Sequence, residues 1–181
     1  VQTYVVEESD ALFKDAITRE LARDGQVLVM HNRVETIYKL ADKLKTLVPE
    51  AKIIVAHGQM DAKTLEDSVM KFYDGDYNVL VATTIIENGI DLPRANPIIV
   101  TDSDKLGLST LYQLKGRVGR SNVMAHAYFT FDREKVMSEA AYKRLSALTE
   151  FTEMGSGYKI AMRDLEIRGA GNVMGKEQHG H

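Results

Sequence analysis

The chain has 181 residues, of which 44% are hydrophobic and 27% charged, a size and composition that fit one globular domain with room for a modest appendage. A formal net charge of −3 excludes capture of nucleic acid by a domain-wide positive field, so any phosphate contact is local and directed. The lack of cysteine excludes disulfides and thiolate metal sites, and with neither a signal-peptide pattern nor an apolar run of bilayer length, the expectation is a cytoplasmic location and no membrane partner.

Val1–Val6 is β-branched and aromatic enough for a strand, and Ser9 is placed to cap a helix that turns Leu12, Ala16, Ile17 and Leu21 inward and ends at Gly25. Gln26–His31 is a short, almost unbroken apolar strand. Asn32 followed by Glu35 has the spacing of a capping box for a helix with Ile37, Leu40, Ala41 and Leu44 on one face. The pattern repeats: Lys52–Ala56 as a strand, Asp61 as the cap of a helix bearing Leu65, Val69 and Phe72, and Asn78–Ala82 as another apolar strand. Pro97–Thr101 and Ala125–Phe131 supply further strands around a helix that starts near Ser109 and contains Leu111, Leu114 and Val118. Apolar strands alternating with helices predict an α/β core over residues 1–132, a parallel sheet covered on both faces. Beyond Asp132, the spacing of Ala141, Leu145, Leu148 and Phe151 predicts a helix. Gly155 and Gly157 interrupt it before a second helix over Tyr158–Asp164, so residues 133–181 read as a helical hairpin followed by a glycine-rich loop. The chain opens in mid-strand without an initiator methionine, and the expectation is a piece of a longer protein.

The segment Gln113 to Arg120 carries the clearest chemistry. Gln113, Arg117 and Arg120 fall at i, i+4 and i+7 and share one helix face, away from Leu111, Leu114 and Val118. Gly116 and Gly119 each weaken a helix by roughly 1 kcal/mol relative to alanine, which is tolerated where a ligand or another backbone comes close. A guanidinium is always charged and forks onto phosphate oxygens, so such a pair suits a triphosphate held across an interface. The plain alternative is a solvated basic face near a helix C-terminus. Thr83 and Thr84 follow an apolar strand at the end where open α/β sheets place ligands, and their hydroxyls and amides suit a DNA phosphate, although β-propensity and turn capping also explain them. His57, Gly58 and Gln59 follow another strand end, where amides and the Gln59 side chain can grip a backbone phosphate without reading bases. Asn32 and Arg33 occupy the corresponding place one strand earlier, Asn32 doubling as a helix cap. His179 and His181 flank a glycine without a third ligand of suitable spacing, so no metal site is expected.

Gln-x-x-Gly-Arg-x-Gly-Arg at residues 113–120 resembles motif VI of superfamily-two helicases and translocases, and residues 83–93, Thr83 to Pro93, resemble their motif V. The resemblance implies a RecA-like motor domain. It places Arg117 and Arg120 at the nucleotide's terminal phosphate, with Gln113 organising them, Asp91 near the ribose and Gly89 where the backbone approaches the nucleotide. It also implies nucleic-acid contact at residues 57–59 and tracking-strand contact at Asn32 and Arg33. Asp164 to Asn172 followed by Gly175 to His181 resembles the translocation motif shared by the transcription-repair coupling factor and RecG families, and Arg-Gly-Ala-Gly with Glu-Gln-x-Gly-His looks more like the former. His179 stands where serine is expected.

That resemblance implies a double-stranded DNA translocase with RNA polymerase and excision-repair proteins as partners of the parent protein. Arg168 and Gln178 would couple the phosphate site to DNA movement. The chain contains no Gly-x-x-x-x-Gly-Lys-Ser/Thr loop and no acidic Asp-Glu-x-His box after a strand, so ATP with Mg²⁺ is expected to be held mainly by a preceding RecA-like domain, and the chain alone is expected not to hydrolyse it. A RecG-like branched-DNA helicase half, a non-catalytic nucleic-acid or protein docking module, and an RNA helicase half are the competing readings.

Overall fold

The computed structural model describes residues 2–83, 97–107, 109–110, 126–132 and 138–150, with side chains to residue 146. Six parallel strands form one sheet in the spatial order β1-β6-β5-β2-β4-β3. They are β1 (Gln2–Glu7), β2 (Val27–Met30), β3 (Ile53–Ala56), β4 (Val79–Ala82), β5 (Ile98–Val100) and β6 (His126–Phe131). The helices are α1 (Asp10–Leu21), α2 (Val34–Leu47), α3 (Ala62–Tyr73) and α4 (Glu139–Glu150), and a short 3-10 turn covers Ser103–Lys105. Ser109 and Thr110 are helical, and the remainder of the helix expected after Ser109 lies outside the described residues.

Strand side chains alternate between two apolar layers, as a sheet covered on both faces requires. Leu28, Met30, Leu80, Ala82, Ile98, Val100, Ala127, Phe129 and Phe131 meet Leu65, Val69 and Phe72 of α3 and Ala141 and Leu145 of α4. Val27, Val29, Val79, Val81 and Ile99 meet Phe13, Ala16 and Ile17 of α1 and Ile37, Leu40, Ala41 and Leu44 of α2. The apolar stripes expected on α2 and α3 are the buried ones. Leu145 is fully buried in the same layer as the strands. Arg144 ties α4 to the turn after β5 by donating from Nε to the Leu106 carbonyl at 2.9 Å and from Nη2 to the Asp104 carbonyl at 2.8 Å.

Three local expectations are corrected. On α1 the inward residues are Phe13, Ala16, Ile17 and Glu20, while Leu12 and Leu21 are half-buried. Phe13 offers the larger apolar side chain, and Glu20 is accepted inside because Arg23 pairs with its carboxylate. The helix stops at Leu21 rather than at Gly25, and the left-handed residue of the turn is Asp24 at φ 56. Gly25 is required instead by close approach, since a Cβ there would stand 2.0 Å from Glu20 Oε1. Asn32 is not the N-cap residue of α2. The N-cap of α2 is Arg33, which makes no side-chain cap bond, and Glu35 Oε1 lies 3.6 Å from Arg33 Nε. Ser9 and Asp61 do cap, accepting from Leu12 N at 3.1 Å and Thr64 N at 2.7 Å.

Candidate functional site

Because every strand runs the same way, the residues that follow them emerge along one edge of the sheet. Each is stitched to its neighbour by one further backbone bond beyond the strand proper. His31 N donates to the Ala82 carbonyl at 2.8 Å, Thr83 N to that of Ala56 at 3.1 Å, and Thr101 N to that of Met30 at 2.9 Å. The ends of β2, β4 and β3, which are adjacent in the sheet, therefore present Asn32 and Arg33, Thr83, and His57 to Gln59 side by side.

A polar layer underlies this edge. His31 Nδ1 lies 2.6 Å from Thr101 Oγ1 and its Nε2 lies 2.7 Å from Thr36 Oγ1. The Thr101 hydroxyl donates to the Met30 carbonyl at 3.3 Å, which leaves its oxygen to accept from His31 Nδ1–H while the Thr36 hydroxyl donates to Nε2. That arrangement holds a neutral ring. Burial, and more weakly the nearby Arg33, lowers the His31 pKa below its ordinary value, with Asp102 and Glu35 opposing. His31 thus braces β2, β5 and the first turn of α2 without carrying charge.

Residues 57–60 form a closed bonding unit. Gly58 N donates to Thr83 Oγ1 at 3.0 Å, Gln59 N donates to His57 Nδ1 at 3.2 Å, and Met60 N donates to the His57 carbonyl at 3.1 Å. These amides are engaged by the loop and by Thr83, so a phosphate reaching them has to displace an existing bond. What the loop presents outward is the exposed Gln59 side chain. Thr83 is only 5% exposed. Its oxygen receives the Gly58 bond, which leaves the hydroxyl hydrogen for donation.

Asn32 is exposed and Arg33 half-buried at the start of α2. The weak pairing of Arg33 with an exposed Glu35 is worth little in solvent, so its guanidinium can be drawn onto a phosphate. Thr84, Gly89, Asp91, Gln113, Arg117, Arg120, Arg168 and Gln178, with His179 and His181, lie outside the described residues. Sequence reasoning missed Tyr38, whose ring stands edge-on to His57 with centroids 5.6 Å apart at 84° and whose hydroxyl lies 3.1 Å from His57 Nε2. The available signal was an aromatic residue beside, rather than within, the apolar stripe of α2.

Residues 9–122 match the helicase conserved C-terminal domain family. The chain is 60% identical over 180 residues to a transcription-repair-coupling factor of Bacillus subtilis and 54% identical to one of Staphylococcus haemolyticus, in each case across 99% of this chain and 15% of the relative. It therefore spans a small part of the relatives it matches. Among solved structures it is similar to RecG bound to a three-way DNA junction, with a TM-score of 0.70 at 31% identity over 96% of this chain and 23% of that one. The C-terminal domain of the DEAD-box protein Dbp5 shares the fold, with a TM-score of 0.60 at 22% identity over 83% of both chains.

Proposed function

Because the chain belongs to the helicase conserved C-terminal domain family, we propose that it is the second motor lobe of an ATP-dependent double-stranded DNA translocase, one that removes stalled RNA polymerase and couples transcription to nucleotide excision repair. Its kinship with transcription-repair-coupling factors along nearly its whole length supports this reading. The observation that carries it is the alignment of Arg33, Gln59 and Thr83 at the ends of three neighbouring strands, in a chain whose net charge is −3. Contacts so placed address a phosphate backbone locally and carry no base information.

ATP, when bound with Mg²⁺, supplies the phosphoryl transfer that drives movement, and a preceding RecA-like lobe holds most of it. The donor set of this chain suits the remainder of such a site. Arg117 and Arg120 bring fixed positive charge to a terminal phosphate, Gln113 orients them, and Gly89 and Asp91 would lie against the nucleoside. Arg168 and Gln178 join this lobe's phosphate site to DNA movement. Excision-repair proteins and RNA polymerase are partners of the parent protein.

The test uses the full-length protein. Arg120→Ala should lower DNA-stimulated ATP turnover by about 10³-fold or more while changing nucleotide binding little. Equal losses in binding and turnover would contradict the role. The likeness to RecG on a DNA junction favours one second reading, a branched-DNA helicase half. ATPase stimulation by linear duplex, three-way junction and duplex RNA separates the readings, with linear duplex DNA expected to suffice.

A further inference from the structure

The loop after β3 is held by a relay that ends on an exposed side chain. Gln59 N–H donates to His57 Nδ1, and a ring nitrogen that accepts carries no hydrogen, so the imidazole's hydrogen sits on Nε2. His57 is only 9% exposed, and its Nε2 faces the Tyr38 hydroxyl at 3.1 Å. With the Nε2 hydrogen directed at it, the phenol oxygen is the acceptor of that bond, and the Tyr38 O–H must point elsewhere. Among the described residues no other hydrogen bond engages Tyr38. The ring is 53% exposed, and its edge-on contact with His57 restricts where the hydroxyl can swing.

Gly58 and Thr83 repeat the arrangement on the other side of the loop, where a loop N–H donates to a hydroxyl oxygen and leaves the hydroxyl hydrogen available. Two hydroxyl donors thus bracket a loop whose own amides are engaged. We infer that Tyr38 is a further DNA-backbone contact, donating its phenol hydrogen to a phosphate oxygen beside the one met by Gln59 and Thr83. This rests on the DNA-translocase reading and extends its contact surface onto α2. As a neutral donor, Tyr38 displaces no counterion. Its loss should weaken duplex binding at every salt concentration without changing the salt slope, unlike loss of a cationic contact.

The experiment places Tyr38→Phe in the full-length protein, which keeps the ring against His57 and removes only the hydroxyl. The expected result is an increase of about tenfold in the duplex concentration that half-saturates ATPase, with maximal turnover retained and the melting temperature lowered by no more than about 1–4 °C for the lost His57 bond. Single methylphosphonates scanned along the tracked strand supply the decisive readout. One position should penalise the wild type and cost nothing further in Tyr38→Phe, as a shared contact requires. If the two losses add at every position, or if half-saturation is unchanged, Tyr38 merely packs on His57 and the inference is overturned. If Arg33→Ala, Gln59→Ala and all methylphosphonates are equally without effect, the DNA reading of this edge fails instead, and the Tyr38 contact falls with it.

Discussion

Thr83→Val tests whether the end of β4 serves shape or function. Valine is β-branched and nearly isosteric, so strand propensity and packing at a position 5% exposed are kept. Only the hydroxyl is lost. The bond it ends is Gly58 N–H to Oγ1 at 3.0 Å, and because Gly58 is exposed, water can take over its N–H. The stability cost is therefore at the low end for a hydrogen bond, about 0.5–1 kcal/mol, equivalent to a fall of about 1–4 °C in the melting temperature of a chain this size. The effect on DNA should be larger, since the change both removes a donor to phosphate and releases the loop that carries Gln59. The half-saturating duplex concentration in DNA-stimulated ATPase of the full-length protein should rise about tenfold or more, and Thr83→Ser should restore it. A valine variant with normal DNA response, or a serine variant as impaired as valine, would refute the assignment and leave Thr83 as a strand-end residue.

Arg33 occupies the N-cap of α2 without a side-chain cap bond, so Arg33→Ser should stabilise the chain by about 1 kcal/mol in thermal melting. In the full-length protein it should also weaken duplex binding and reduce the salt slope by about 1; an unaltered slope would assign Arg33 to the helix alone. Burial lowers the His31 pKa, so as pH falls below about 6.5 the unfolded chain takes up a proton that the fold resists, and stability present above that value is lost. His31→Gln should flatten the fall in stability between about pH 7.5 and pH 5.5. His126, also lowered mainly by burial, contributes to the slope that remains, and a variant as steep as wild type would show that His31 is not the titrating brace.

The parallel architecture was legible because apolar strands of three to six residues alternate with helices whose stripes recur at 3.6 spacing. The buried face of α2 and the apolar residues of the buried face of α3, which also takes in Ser68, were read residue by residue, as were the Ser9 and Asp61 caps. The misreadings share a cause. Leu12 and Leu21 were placed inward on α1, but the sheet selected Phe13 and Glu20, a choice that depends on where the helix is docked and on Arg23 reaching the carboxylate. Asn32 fits a capping box by spacing alone, yet β2 continues its pairing through His31, whose carbonyl then accepts from Arg33 N, and the cap falls one residue later, at Arg33.

The same division holds at the candidate site. Residue type and position along the chain were enough to bring Arg33, Gln59 and Thr83 to one edge, because strands that all run parallel must end together. Which polar groups there are available to a ligand was decided only by the tertiary structure. Gly58 N–H meets Thr83 across 25 residues of sequence, and Tyr38 meets His57 across 19. Hydrogen bonds between segments so far apart leave no periodic signal, and they engage the loop's amides while leaving its flanking hydroxyls able to donate.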